Sequence, residues 1–211
     1  GTRDFGPTTM VRRQWLFDTL RSVFERHGFL PIQTPSFENL STLTGKYGEE
    51  GDQLIFKILN NGDFLAKASS DALDSKDSKA VLSSISKKAL RYDLTVPFAR
   101  FVVMHRNELP FPFKRYQIQN VWRGDRPGEG RYQEFTQCDC DIIGTESTLA
   151  ELELIQVFHE GLQSLHVPGY RIKINDRRLL LALALASGVT ESEFADWTVA
   201  VDKLDTIGVD G

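Results

Sequence analysis

Residues 115–144 hold two alternating runs, 116–122 and 134–143, separated by a loop of Gly, Pro, Arg and acidic residues. Period-two alternation broken by a Gly/Pro-rich segment predicts a long antiparallel hairpin with a mobile, charged tip. Side chains alternate along a strand, so Gln137, Asp139 and Asp141 share one face while Cys138, Cys140 and Ile142 share the other. The apolar face can pack on helices. The polar face lays out an amide and two carboxylates beside Arg123 and Arg131 at the loop shoulders. Fixed cations and anions together suit a zwitterionic or phosphorylated ligand better than a hydrophobic one. A solvated hairpin of mixed charge would show the same pattern, and the residues alone leave that alternative open.

At 211 residues the chain fits one domain, or one domain plus a fragment, with room for a sizeable core. The net charge of −4 provides no global basic field, so any RNA contact must come from local patches. No apolar run is long enough to span a bilayer, and the first residues do not read as a signal peptide. Cys138 and Cys140 are too close along one strand face for an unstrained mutual disulfide, and two thiols do not make a structural zinc site. They are expected to be small buried apolar residues in a reducing, cytoplasmic compartment.

Ahead of the hairpin, Thr8 or Thr9 is expected to cap a helix with Val11, Trp15, Leu20, Val23 and Phe24 at helical spacing, ended by Gly28. Residues 29–35 are extended and contain two prolines, which predicts an edge strand. Residues 37–47 connect; Gly45-Lys46 is no phosphate loop, since Leu40 stands where its first glycine is required. Residues 54–59 and 64–66 predict a hairpin around Asn60-Asn61-Gly62-Asp63. Residues 69–88, rich in Ser, Lys and Asp, read as an exposed, partly mobile insertion with one short helix around 80–85. A helix carrying Phe98, Phe101, Val102 and His105 follows Pro97.

Beyond the hairpin, residues 145–165 predict an amphipathic helix with Leu149, Leu152, Ile155, Val157, Phe158 and Leu162 as its stripe. His159-Glu160 lacks a zinc-peptidase partner histidine and reads as a surface pair. Residues 170–175 alternate as a strand, Asn175 or Asp176 caps a helix through 179–186, and 197–207 are helical.

Arg123-Gly124-Asp125-Arg126-Pro127, Gly130-Arg131-Tyr132, Glu134-Phe135 and Gln137 together resemble motif 2 of the class II aminoacyl-tRNA synthetases, in the form typical of the histidyl-tRNA synthetase family. The helix running into the Pro35-bearing strand resembles motif 1. The resemblance implies an α+β fold, an antiparallel sheet flanked by helices, that is part of a class II catalytic core. In the family motif 1 forms the dimer interface, which implies a homodimer through residues 9–35. The activity implied is ATP-dependent conversion of L-histidine to histidyl-adenylate and transfer to tRNA(His), with Mg²⁺ on the leaving pyrophosphate and no protein metal site assigned.

Carried over by position, Arg123 is the catalytic arginine facing the α-phosphate and carboxylate. Asp125 accepts from the adenine amine, Phe135 stacks on adenine, and Arg131 reaches the outer phosphates. Asp93 and Thr95 match the residues that hold the α-ammonium group, with Asp where many relatives have Glu; Gln137 and Asp141 line the histidine site. Asp93 or Thr95 could equally cap the following helix. Arg126 on the loop is the expected contact to the tRNA acceptor end. The resemblance covers nearly the whole chain, from Thr2-Arg3-Asp4-Phe5 to Lys203-Leu204-Asp205, and implies that residues 1–211 are the N-terminal portion of the catalytic domain, with the insertion near 69–88. The family's Arg-Gly-Leu-x-Tyr-Tyr segment, motif 3 and anticodon-binding domain are not in the sequence, so the chain is expected to be part of a longer protein and inactive alone. The alternatives are a histidine-sensing regulatory paralogue of ATP phosphoribosyltransferase and a tRNA-sensing synthetase-like module.

Overall fold

The structure, a computed structural model, describes residues 1–207. It divides into two compact units, Gly1–Pro168 and Gly169–Gly211. The first unit begins with α1 (Pro7–Arg26), β1 (Leu30–Pro31), β2 (Phe37–Asn39), α2 (Leu40–Leu43), α3 (Gly48–Gln53) and β3 (Lys57–Ile58). It continues through α4 (Ser70–Asp74), α5 (Ser78–Ile85), β4 (Lys88–Leu90), α6 (Thr95–His105), β5 (Phe113–Trp122), β6 (Glu134–Ile143) and α7 (Leu149–Ser164). The second unit contains α8 (Arg177–Ala186) and α9 (Phe194–Ile207). Asp176 caps α8 by accepting from the Arg178 N–H, and Phe194 is buried under the Arg177 guanidinium.

The hairpin forms as its alternation predicts. β5 and β6 pair antiparallel from Phe113 opposite Ile143 to Trp122 opposite Glu134. β1 adds to the edge of β5 in parallel, giving the order β1-β5-β6, and its Pro31 sits where a missing N–H breaks no central ladder. The sheet is therefore antiparallel in its long ribbon and parallel at that edge. A second sheet, β2-β4-β3, is antiparallel throughout.

One face of the ribbon packs on helices. Tyr116, Ile118, Cys140 and Ile142 meet Val23, Phe24, Phe29 and Val157, with the Phe24 and Tyr116 rings stacked at 5.1 Å. Cys140 joins this core, and burial, reinforced by Asp141, pushes its thiol up to about 12. Cys138 is exposed, contrary to expectation. Glu160 is more than a surface group: it accepts from Arg26 and pairs with His27 at 2.7 Å, joining α7 to α1.

Five local expectations need correction. Helix α1 starts at Pro7 after Gly6, so Thr8 and Thr9 lie inside its first turn; the proline replaces a cap because its missing N–H is one the helix could not satisfy. Only the last turns of α1 reach the core, and Val11 and Trp15 are 72% and 54% exposed. No hairpin closes at Asn61-Gly62, since Lys57 and Ile58 pair instead with Ala89 and Lys88. The Asn60 side chain there ties back to the end of α5, donating to Ser84 O and accepting from Lys87 N–H. Residues 170–175 form no strand among the described residues; alternation becomes a strand only within a ladder, and neither described sheet includes this segment. Residues 69–88 hold two helices rather than one, and although most of the segment is exposed, Val81 is buried and Ser86 donates to Ile58 O.

Arg91, 2% exposed, joins the two sheets. Its Nε donates to Asn120 O at 2.7 Å, and its Nη1 donates to Thr34 O at 2.7 Å and Pro35 O at 3.1 Å. Its own backbone donates to Ser36 O and accepts from Trp122 N–H. That clamp carries the next residues, Tyr92 and Asp93, to the polar face of the ribbon.

Candidate active site

Register fixes which side chains share the second face. Asp141 stands opposite Arg115, Asp139 opposite Gln117, Gln137 opposite Gln119 and Phe135 opposite Val121. Period-two geometry then puts Arg123 on the same side as Gln137 and Asp141.

Where the ribbon opens into its loop, a cleft of about 550 Å³ is lined by Tyr47, Gly51, Leu54, Tyr92, Arg123, Asp125, Gly130, Arg131, Tyr132 and Phe135. The four residues expected to bind a nucleotide, Arg123, Asp125, Arg131 and Phe135, all line it. The Arg123 guanidinium lies 4.4 Å from the Tyr92 ring centre and 5.2 Å from that of Phe135. Its Nε donates to Tyr92 O at 3.2 Å, which holds the fork in place while its terminal nitrogens keep no protein partner among the described residues. Two aromatic faces around one planar cation make a site that arginine fits and lysine does not.

The loop is shaped by backbone contacts. Gly124 N–H donates to Leu54 O at 2.7 Å, an approach in which an added Cβ would lie only 3.1 Å from that oxygen. Gly128 and Arg131 bridge each other across the tip, and Gln133 holds Asp125 O at 3.2 Å. Arg126 is exposed on this tip.

The residues expected to bind histidine extend from the cleft along the face. Asp93 Oδ1 accepts from Tyr47 Oη at 2.8 Å and from Val96 N–H at 3.2 Å. It therefore does the helix-capping job while also meeting a cleft wall. Burial and the bond to Asp93 push the Tyr47 phenol far up, so it stays a donor. Gln137 Oε1 is buried without a hydrogen-bond partner. Thr95 does not join the group in the same way: it is exposed in the first turn of α6.

Asp139 has its carboxyl raised by burial, with Arg115, Asp141, Asp93 and Arg123 all close enough to act on its charge. Sequence reasoning placed Asp139 on this face but gave it no role, and it overlooked Arg115. The signal was available for Arg115, which shares strand parity with Arg123. None was available for Tyr47 or Leu54, brought to the cleft from distant segments.

The sequence model of the histidyl-tRNA synthetase family matches residues 1–211. The chain is 56% identical over its full length to a histidine–tRNA ligase of Christiangramia forsetii, and 57% identical over 208 residues to one of Cytophaga hutchinsonii. It spans 46% of the length of each of these curated relatives. Among solved structures, histidyl-tRNA synthetase from Nostoc sp. PCC 7120 matches 98% of the chain and 43% of its own, with a TM-score of 0.76 and 28% identity. A Bacillus halodurans protein described as an ATP phosphoribosyltransferase regulatory subunit/histidyl-tRNA synthetase matches 79% of the chain and 37% of its own, with a TM-score of 0.59 and 22% identity, a likeness of fold alone.

Proposed function

The chain belongs to the histidyl-tRNA synthetase family, and from that premise we propose that it supplies part of a class II catalytic core in a longer protein that activates histidine with ATP and charges tRNA(His). The observation that carries this reading is the convergence of Arg123, Asp125, Arg131 and Phe135 on one cleft, continuous with the face bearing Gln137 and Asp141. In activation a histidine carboxylate oxygen attacks the α-phosphorus of ATP, and the bond from that phosphorus to the bridging oxygen breaks as pyrophosphate leaves with the electron pair. Charge gathers on the non-bridging oxygens, so catalysis is largely positioning and fixed positive charge.

Arg123, already oriented by Tyr92 and Phe135, supplies that charge at the α-phosphate; Arg131 meets the outer phosphates; Phe135 takes the adenine ring and Asp125 its amine. Asp93 takes the α-ammonium group, with Thr95, exposed at the start of α6, outside it, and Gln137 and Asp141 take the rest of the amino acid. The donor set fits a nucleotide: two guanidiniums and an aromatic ring border the cleft, and the buried, unpartnered Gln137 Oε1 fits a donor on the amino acid. Mg²⁺, the ion we assign to the reaction, would be held by the nucleotide's phosphates and would supply charge neutralisation for the leaving pyrophosphate; among the described residues no group of three or more His, Cys, Asp or Glu side chains could hold a metal ion.

We assign Arg126 to the tRNA acceptor end, and a homodimer contact to residues 9–35, whose Met10, Val11, Trp15 and Leu30 are exposed. We place the protein in the cytoplasm; no helix among the described residues is long and apolar enough to cross a membrane. A regulator that only sensed histidine would have no use for four nucleotide positions gathered in one cleft, which favours the ligase.

The test is histidine-dependent ATP–pyrophosphate exchange by the whole protein. Arg123→Ala is expected to slow it by about a hundredfold or more, the effect of removing one transition-state donor. An unchanged rate removes Arg123 from this role, and a wild type without histidine-dependent exchange removes the ligase reading. The chain by itself is expected to show no exchange at the whole protein's rate.

A further inference from the structure

The polar face of the ribbon holds one cation that the activation chemistry leaves unused. The Arg115 side chain is completely buried, yet its Nη2 forms an ion pair with Oδ2 of Asp141, whose side chain is 37% exposed. The pair therefore runs from the interior to the open face. Nη1 donates weakly to Asp139 O at 3.4 Å, and the guanidinium carbon sits 4.4 Å from the Phe98 ring centre, which fixes the plane of the fork. Nε and Nη2 have no aligned hydrogen-bond acceptor, and Gln117 Oε1 on the same strand is buried without a partner.

Packing gives no reason for such a group. A buried ion pair is commonly no more stabilising than apolar residues of the same volume, and an arginine cannot shed its charge to escape the cost. Burial does pull the Arg115 pKa down, and Asp141, then Asp139, pull it back. Asp93, Asp139 and Asp141 are three carboxylates gathered around two guanidiniums, Arg115 and Arg123.

We infer that Arg115 is a positioning residue for the amino-acid site, one that fixes the direction of the Asp141 carboxylate. This rests on the proposed function, in which Asp141 faces the histidine ring. A carboxylate with one oxygen held by an immobile cation offers its other oxygen along a single direction, so it accepts from one ring nitrogen and selects one tautomer. Arg115 thereby sets discrimination for histidine without touching it, while the nucleotide end of the face is unaffected.

The experiment is pyrophosphate exchange by the whole protein, with KM measured separately for histidine and ATP in Arg115→Met, Arg115→Lys, Asp141→Asn and the Arg115→Met/Asp141→Asn double variant. Arg115→Met is expected to raise the histidine KM by about tenfold, the scale of losing one charged contact, while the ATP KM stays within about twofold. Arg115→Lys, which keeps the charge and loses the fork, is expected to raise it severalfold and to decide the matter if the methionine variant does not fold. In the Asp141→Asn background Arg115→Met should add less than about twofold, because both changes remove one device. Parallel rises for histidine and ATP, additive effects in the double variant, or an unchanged histidine KM in the lysine variant overturn the inference. A wild type without exchange overturns the ligase reading itself, an outcome distinct from any of these.

Discussion

Replacing Arg91 by methionine keeps most of the aliphatic stem and removes the guanidinium that ties the two sheets together. Three backbone carbonyls lose this donor: Asn120 O and Thr34 O, each at 2.7 Å, and Pro35 O at 3.1 Å, with Thr34 O keeping the Gln119 amide at 3.2 Å. Hydrogen bonds to a charged donor contribute about 1.5–3 kcal/mol each, but all three share one group and do not add fully. Against them stands the desolvation of a buried arginine, which the methionine no longer bears. With Thr34 buried beside it, the net loss should be about 2–4 kcal/mol, a large part of the roughly 5–15 kcal/mol that stabilises a domain. Urea unfolding followed by tryptophan fluorescence measures it, since Trp122 lies 5.6 Å from the guanidinium it would lose. Amide exchange of Trp122, whose N–H donates to Arg91 O, should speed up in step. A loss below about 1 kcal/mol would mean that the carbonyls find water or that the sheets are held by other contacts, and the clamp would be refuted.

Two further outcomes follow from single contacts. Gly124→Ala puts a Cβ about 3.1 Å from Leu54 O, backbone against backbone; the loop must shift, and ATP affinity of the whole protein, measured by titration calorimetry, should fall by about tenfold, as expected when a positioning contact is displaced. Glu160 has its carboxyl held below the ordinary value of 4.5 by hydrogen bonds from Arg26 and His27. A depressed folded-state value means that its stabilisation is present above 4.5 and disappears as pH falls through the lowered one. Half-open ion pairs contribute at most about 1 kcal/mol, so Glu160→Gln should lower the melting temperature by about 2–4 °C at most at pH 7. That gap should close on acidification below 4.5; a gap that widens contradicts the sign.

Legibility in the sequence followed the range of the interactions. Residues 134–143 carry their own parity, so strand β6 and its two faces could be written down from the residues alone. Gly28, at φ +74 after α1, marks a helix end because few other residues adopt that backbone. Asn61-Gly62 gave an equally local signal and misled, because the partner of Lys57 lies more than thirty positions away at Ala89. Arg91 and Arg115 read as ordinary charges in a sequence; only the assembled sheets reveal that both are buried. Tyr47 and Leu54 reach the cleft from segments with no motif of their own. The nucleotide residues were accessible because they sit on one hairpin, whereas the walls that complete the cleft are set by tertiary packing.

A crystal structure of the whole protein with a non-hydrolysable ATP analogue and histidine tests the central claim most directly. The prediction is an α-phosphate oxygen within about 3 Å of the Arg123 guanidinium, adenine stacked on Phe135, and the histidine ring beside Asp141. A nucleotide bound away from the Tyr92–Arg123–Phe135 cleft, or a histidine that leaves Gln137 and Asp141 untouched, would contradict it.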